Sequence, residues 1–299
     1  MINIRVPATT ANMGPGFDAL GMALSQYSFF ECEKAEKTEV IIEGLESEKL
    51  TVENNLVIDS MNRLFEYAGK KPDGYRLKII NGVPLARGMG SSASAIIGGL
   101  MCANALIDFA LEKEEILKLA TEIEGHPDNV APALLGNIIV STSDGDGEVI
   151  YRKIEPFKGL ECVLFIPEYE VSTKDSRGVL PEKVTMGDAV HNSSNLALMV
   201  MGFINGDKPL IGKTMNDRIH EPYRKKLIKK FDELKGAALE SGAFAFSLSG
   251  AGSTVIAYTS ENDSEKVRKA MEEVAETNNI EGKAVVIKPC ADGAVCEVN

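Results

Sequence analysis

The segment from Pro84 to Ala95, PLARGMGSSASA, constrains this chain more than any other. A proline and two glycines, Gly88 and Gly90, lead into Ser91, Ser92 and Ser94, and the run from Ile96 to Ala110 that follows is apolar enough for a buried helix. A helix entered through glycines presents unpartnered N–H groups at the positive end of its macrodipole, and the missing Cβ atoms let an anion come close. The segment therefore predicts a polyphosphate site built from Pro84, Leu85, Ala86, Arg87, Gly88, Met89, Gly90, Ser91, Ser92, Ala93 and Ser94. Other readings compete for it. Gly88, Gly90 and Ala93 fit the G-x-G-x-x-G/A dinucleotide pattern, but Asn81 to Arg87, with Pro84 inside, separate Gly88 from the strand candidate Tyr75 to Ile80, too long for the tight turn required. Gly212-Lys213-Thr214 ends like a Walker A loop, but the earlier glycine falls on Asp207 and the match fails. A plain turn before a core helix suffices only if this loop is taken alone.

Composition narrows the function classes. The 299 residues, 44% hydrophobic and 25% charged, suit a globular chain of one large or two medium domains. A net charge of −12 argues against a nucleic-acid surface and against attraction to an anionic membrane. Cys32, Cys102, Cys162, Cys290 and Cys296 form no C-x-x-C pair and no cluster with histidine, which argues against zinc and against a disulfide framework and for reduced cytosolic thiols. The opening MINIRVPATT lacks the apolar core of a signal peptide and no run reaches 18 apolar residues, so a cytoplasmic protein is expected.

Strand-like and helix-like stretches alternate. Strands are expected at Ile2 to Val6, Tyr27 to Glu33, Val40 to Glu43, Tyr75 to Ile80, Asn137 to Thr142 and Glu148 to Lys153, with a hairpin turn at Ser143 to Gly147. Helices are expected at Leu56 to Ala68, Lys113 to Glu124 and Asn129 to Leu134. Glu155 to Gly159 reads as a boundary. Beyond it come a strand (Glu161 to Ile166), helices to about residue 238, strands at Ala243 to Phe246 and Val255 to Tyr258, a helix from Ser264 to Thr277 and a final strand from Lys283 to Ile287. The basic cluster Arg224 to Lys230 reads as the solvated face of a helix.

Two further glycine-punctuated polar turns accompany the first: PATTANMGPGFD at 7 to 18 and SLSGAGST at 247 to 254. The three loops, in this order and nearly end to end, resemble the three motifs of the GHMP kinases, a family named for its galactose, homoserine, mevalonate and phosphomevalonate kinases. The spacers Thr10 to Asp18, Glu124 to Ala133, Ser172-Thr173-Lys174 with Arg177, and Glu221-Pro222-Tyr223-Arg224 are most similar to the branch that acts on an amino-acid alcohol. One departure is visible: only Gly125 separates Glu124 from His126, where some members carry several more residues.

The resemblance implies an α+β, two-domain GHMP kinase fold: a ribosomal protein S5 domain 2-like, ATP-binding domain over 1–155 and a ferredoxin-like C-terminal domain over 156–299. It implies ATP as phosphoryl donor, L-homoserine as acceptor and O-phospho-L-homoserine as product, a step of threonine biosynthesis, and a homodimer. Ser92 and Glu124 are matched to Mg²⁺, and Ser249, Gly250 and Gly252 to closure over the phosphates. Asn12 and Asp18 are matched to the substrate ammonium, Arg177 and Arg224 to its carboxylate, and Asn129 to the reacting hydroxyl. The chemistry is reasonable: a loose phosphoryl transition state asks mainly for positioning and charge neutralisation, so a carboxylate base is dispensable, and a guanidinium fork grips a carboxylate with two bonds. Either Asp128 or Asn129 can face the hydroxyl at this level, Glu122 competes with Glu124 for the metal, and His126 reads as a structural histidine. Mevalonate, shikimate or a sugar as acceptor, or a non-catalytic metabolite-binding relative, are the competing functions.

Overall fold

The computed structural model describes residues 1–143 and 148–298; most of the hairpin turn expected at 143–147 lies outside them. The elements are β1 (Ile2–Asn12), β2 (Gly16–Ala35), β3 (Glu39–Gly44), α1 (Leu56–Ala68), β4 (Gly74–Asn81), α2 (Ser91–Leu106), α3 (Lys113–Glu124), α4 (Pro127–Leu135), β5 (Ile138–Ser143), β6 (Val149–Ile154), β7 (Leu160–Pro167), α5 (Thr173–Gly178), α6 (Met186–Asn205), α7 (Lys208–Thr214), α8 (Glu221–Arg224), α9 (Phe231–Glu240), β8 (Ala245–Leu248), β9 (Val255–Ser260), α10 (Ser264–Thr277), β10 (Gly282–Ile287) and β11 (Val295–Val298).

The first sheet runs β11-β1-β2-β4-β3, with β5 and β6 attached through β2. It branches because β2 is 20 residues long: Leu20 to Met22 pair with β5, and Phe29 to Ala35 pair with β4. Helices α1 to α4 cover one face, packing Met61, Leu64, Ile97, Leu100 and Leu117 onto Ile4, Val6, Phe30 and Leu77. The second sheet is antiparallel, in the order β10-β7-β9-β8. With α10 between β9 and β10, and α5 to α9 between β7 and β8, this is the 4-1-3-2 order of a ferredoxin-like unit.

Every residue of β7 is buried, as in a strand covered on both faces. Cys162 and Leu164 point into a junction core with Met22, Met89, Phe203 and Tyr258, while Val163 and Phe165 meet Phe231, Leu234 and Met271 under α9 and α10. The junction core holds the two sheets' loops against each other, and the site lies there.

Three sequence expectations are corrected. β1 continues past Val6 to Asn12 and β2 starts at Gly16, so the first polar motif is a tight hairpin; the buried polar side chains of Thr9 and Thr10 hide the strand pattern. Residues 295–298, expected in the second unit, form a strand on β1 of the first sheet. Arg224 is 2% exposed, and the basic stretch breaks into α8 and a 3₁₀ turn at Lys225–Leu227 instead of forming one solvated helix face.

Candidate active site

Three loops are knitted together at the junction. Thr9 N–H donates to the Met89 carbonyl (3.0 Å), Gly250 N–H to the Ala11 carbonyl (3.1 Å) and Thr254 N–H to the Arg87 carbonyl (3.1 Å). The Ser249 hydroxyl bridges to Gly88 O (2.7 Å) and Thr10 Oγ1 (2.9 Å), and Asn12 Nδ2 donates to Gly250 O (2.9 Å). The glycines are explained here: both have φ of 70°, and a Cβ would lie 2.1 Å from Ser249 O at Gly88 and 1.9 Å from Thr9 Oγ1 at Gly90. What forbids a side chain is the close approach of the neighbouring loops. Non-glycine residues with positive φ (Asn12, Met13, Asp18 and Ala86) cluster at the same place, strain of the kind held at functional sites.

The helix starts here earlier than apolar content suggests. α2 begins at Ser91, with Gly90 as an N-cap that makes no side-chain bond, so its first N–H groups stay uncapped where Ser91 and Ser92 border an open cleft. It ends at Leu106, because Asp108 and Phe109 take positive φ. The starts of α4 and α5 reach the same cleft through Asp128, Asn129 and Thr173, and α8 delivers Arg224.

Of the residues expected around the phosphates, Ala86, Gly88, Gly90, Ser91, Ser92 and Gly250 border the cleft. Pro84, Leu85, Arg87, Met89, Ala93, Ser94, Ser249 and Gly252 do not. Arg87 turns away: its guanidinium binds Glu46 (3.0 Å) and the carbonyls of Pro167 (2.9 Å) and Glu168 (2.6 Å), pinning the loop to the end of β7. Leu85 N–H is taken by Glu46, and Met89 is buried in the junction core.

Ser92 Oγ donates to Glu124 Oε2 at 2.7 Å. Burial raises the Glu124 carboxyl above its ordinary range, against the opposing pull of Ser92. A hydroxyl and a carboxylate oxygen beside an uncapped helix start are the hard oxygen donors that Mg²⁺ takes, so these residues fit that ion. Glu122 instead faces Arg63 at the surface (3.2 Å).

Asp18 and Arg177, matched to opposite ends of the substrate, bind each other bidentately at 2.9 and 3.1 Å. Both guanidinium groups lie over Phe17, Arg224 at 5.0 Å and Arg177 at 5.6 Å from its centroid, and His220 stacks on the same ring at 5.2 Å. Arg224 Nε donates to Ser176 O (3.1 Å); burial, and then the neighbouring Arg177, lower its pKa to about 10, which leaves it charged at neutral pH.

Asp128 and Asn129 both border the cleft. Asn129 Oδ1 accepts from Thr9 Oγ1 (2.8 Å), and Asp128 Oδ1 meets His126 Nδ1 at 2.5 Å. Burial works against the imidazolium of His126, but the carboxylates of Asp128, Asp18 and Glu124 together outweigh it and the pKa rises. His126 is thus a cleft residue, one oxygen or nitrogen of Asp18, His126 and Asp128 lying within 4.8 Å of the others. The start of α4, of which His126 is the N-cap residue, places it there.

A second cavity adjoins the first, sharing Ser91, and is lined by Phe30, Leu50, Asn54, Asn55, Leu56 and Ile79 among others. Sequence reasoning offered no signal for it, since its walls come from β2, β4 and the segment before α1.

Behind the site, Asp217 Oδ2 accepts from the N–H groups of Ile219, His220 and Glu221 and so fixes the turn into α8. Glu221 Oε2 accepts from Leu248 N–H (3.1 Å), and burial pushes its carboxyl up to about 7. An acid with a raised folded pKa favours the fold when protonated, so this contribution is complete below the unfolded value near 4.5 and is lost as pH rises through about 7. Glu221→Gln is expected to gain Tm over the parent as pH goes from 5 to 8; a difference that stays flat across that range in thermal melts contradicts the assignment.

An uncapped helix start, a hydroxyl–carboxylate pair and two guanidinium groups border one cleft, an arrangement suited to a polyphosphate and a small anionic or zwitterionic partner, as in small-molecule kinases. The chain matches the family models for the GHMP kinases N terminal domain over residues 55–137 and GHMP kinases C terminal over residues 199–277. It is 42% identical over 294 residues to the homoserine kinase of Moorella thermoacetica, covering 98% of each chain, and 41% identical to that of Carboxydothermus hydrogenoformans, covering 100% of this chain and 98% of the relative. The crystal structure of homoserine kinase from Cytophaga hutchinsonii superposes with a TM-score of 0.89 at 31% identity, covering 99% and 97%. The chain belongs to the GHMP kinases, in their homoserine kinase branch.

Proposed function

We propose that this chain is an ATP-dependent kinase that phosphorylates the side-chain hydroxyl of L-homoserine. The observation that carries the reading is the pairing, in one cleft, of the uncapped α2 start with the buried Arg224 and the Asp18–Arg177 pair. The triphosphate lies along Ala86 to Ser92, where N–H groups and the helix dipole offset its charge. The nucleoside extends into the adjoining cavity past Ser91, between Phe30 and Ile79, with Asn54 and Asn55 at its polar edge. Ser92 and Glu124 would hold Mg²⁺, which would supply neutralisation of the charge on the phosphates.

Homoserine enters as a zwitterion. Its ammonium takes over Asp18, with Asn12 beside it, and its carboxylate takes over Arg177 and Arg224, so the bidentate pair seen here exchanges one internal ion pair for ion pairs with both ends of the substrate. Phe17 keeps the two like-charged guanidinium groups close without a direct contact. Asn129 and His126 orient the hydroxyl. Its oxygen forms the bond to the γ-phosphorus as the bond to the ADP oxygen breaks, and the hydroxyl proton leaves late, to the phosphoryl oxygens and then to water, so no carboxylate base is required. A kinase drawing on ATP and a metabolic amino acid works in the cytoplasm, where both are found.

The test is a substrate panel with purified protein, following ADP release. Turnover is expected with L-homoserine and at least 100-fold weaker turnover with mevalonate, shikimate or galactose, which lack the zwitterion. Equal or faster turnover of any of these refutes the assignment, and homoserine binding without turnover points to a sensor.

A further inference from the structure

Thr9 stands between the two sides of the reacting centre. It is fully buried on β1, and so belongs neither to the helix that meets the phosphates nor to the one that carries Asn129. Its backbone N–H donates to the Met89 carbonyl (3.0 Å), and a Cβ on Gly90 would fall 1.9 Å from its Oγ1, so the side chain rests directly on the loop that opens α2. Its hydroxyl also reaches the first turn of α4, where it donates to Asn129 Oδ1 at 2.8 Å. One buried residue thus touches both the phosphate loop and the residue assigned to the acceptor hydroxyl.

The same bond decides which end of the Asn129 amide serves the cleft. A carboxylate only accepts hydrogen bonds, and Asp128 Oδ1 lies 3.5 Å from Asn129 Nδ2. The nitrogen therefore belongs on the side of Asp128 and the oxygen on the side of Thr9, whose hydroxyl supplies its proton. With Oδ1 occupied, what Asn129 has left for the cleft it borders is its second N–H. That donor binds a lone pair of the acceptor oxygen and turns the hydroxyl's own proton away from Asn129, toward the phosphoryl oxygens that receive it. A flipped amide does the reverse and holds that proton back. Without the Thr9 hydroxyl nothing on this side distinguishes the two amide ends, and at a reacting centre a misplacement of about 1 Å costs a rate factor of about 100.

We propose that Thr9 is a positioning residue for phosphoryl transfer, its hydroxyl fixing the orientation of the Asn129 amide against the phosphate loop. The inference rests on the kinase reading above. Thr9→Val tests it, because a methyl group replaces the hydroxyl at nearly the same volume. With L-homoserine, kcat is expected to fall by about 10- to 100-fold. Both KM values should stay within about three-fold of the parent, since neither the charged groups that grip the amino acid nor the start of α2 is altered. Thr9→Ser keeps the hydroxyl and gives up a methyl group, and is expected to hold kcat within a few-fold of the parent. A role in packing alone predicts the opposite order, because serine is the variant that loses buried volume. A Thr9→Val enzyme with the parental kcat, or a Thr9→Ser enzyme as slow as Thr9→Val, overturns the proposal and leaves the kinase reading standing; a parent chain that does not turn over homoserine removes both.

Discussion

Glu124→Gln is expected to lower kcat by about 100-fold or more, the usual consequence of removing one preorganised group from a charge-neutralising site. The substitution is nearly isosteric and keeps an oxygen for the Ser92 hydroxyl, which now donates to Glu124 at 2.7 Å. It also removes a buried charge whose pKa burial already raises, so the fold should be as stable as the parent. Steady-state kinetics at saturating ATP and homoserine separate these effects: kcat falls, the homoserine KM stays within a few-fold and the melting temperature holds. An unchanged rate moves the metal-holding role away from Glu124. Glu122 is then a poor substitute, because it is committed to Arg63 on the outer surface.

The second large effect concerns the acceptor. Arg177→Ala and Arg224→Ala are each expected to raise the homoserine KM by roughly 10- to 150-fold, which corresponds to about 1.5–3 kcal/mol for a hydrogen bond to a charged group. The ATP KM should hardly move, since neither guanidinium belongs to the phosphate loop. The two variants differ in stability for a reason visible in their surroundings. Arg177 is partly exposed and its loss frees Asp18, whereas Arg224 is buried and its loss leaves the Ser176 carbonyl without its donor. Only Arg224→Ala should lower the melting temperature. Equal loss toward ATP and homoserine in either variant contradicts the role assigned.

These expectations depend on features of unequal visibility in the sequence. The helix Lys113–Glu124 is legible to the residue, because Glu112 and Glu115 form a capping box at its start and Gly125 takes the left-handed conformation at its end. Ser264–Thr277 is equally clear from its amphipathic period. The first sheet is harder to read. β1 and β2 meet at a hairpin whose flanks are Thr9, Thr10 and Asn12, polar residues buried by contact with loops far along the chain, so alternation gives no signal. β11 is invisible because its only reason to be a strand is the free edge of β1, almost the whole chain away.

The site divides along the same line. The loop motifs locate the cleft, but composition cannot tell which residues of a motif face it. Arg87, flanked by glycine and alanine, looks like a phosphate ligand and is instead held by Glu46 and by backbone carbonyls at the end of β7. Ser249 looks like part of a lid and spends its hydroxyl on Gly88 and Thr10. Phe17 and His126 matter because of what folding places beside them, two guanidinium groups in one case and a carboxylate in the other. The adjoining cavity is walled by the stretch 49–57, and its opposite walls come from β2, β4 and the start of α2, so no single motif announces it.

The most direct measurement is a crystal structure of the chain with a non-hydrolysable ATP analogue, Mn²⁺ in place of Mg²⁺, and L-homoserine. The account predicts phosphate oxygens within hydrogen-bonding distance of the N–H groups that open α2, anomalous density for the metal beside Ser92 and Glu124, and the homoserine carboxylate between Arg177 and Arg224 with its ammonium on Asp18. A triphosphate bound elsewhere than at the start of α2, or an amino acid that leaves the Asp18–Arg177 pair intact and lies outside the cleft, contradicts it.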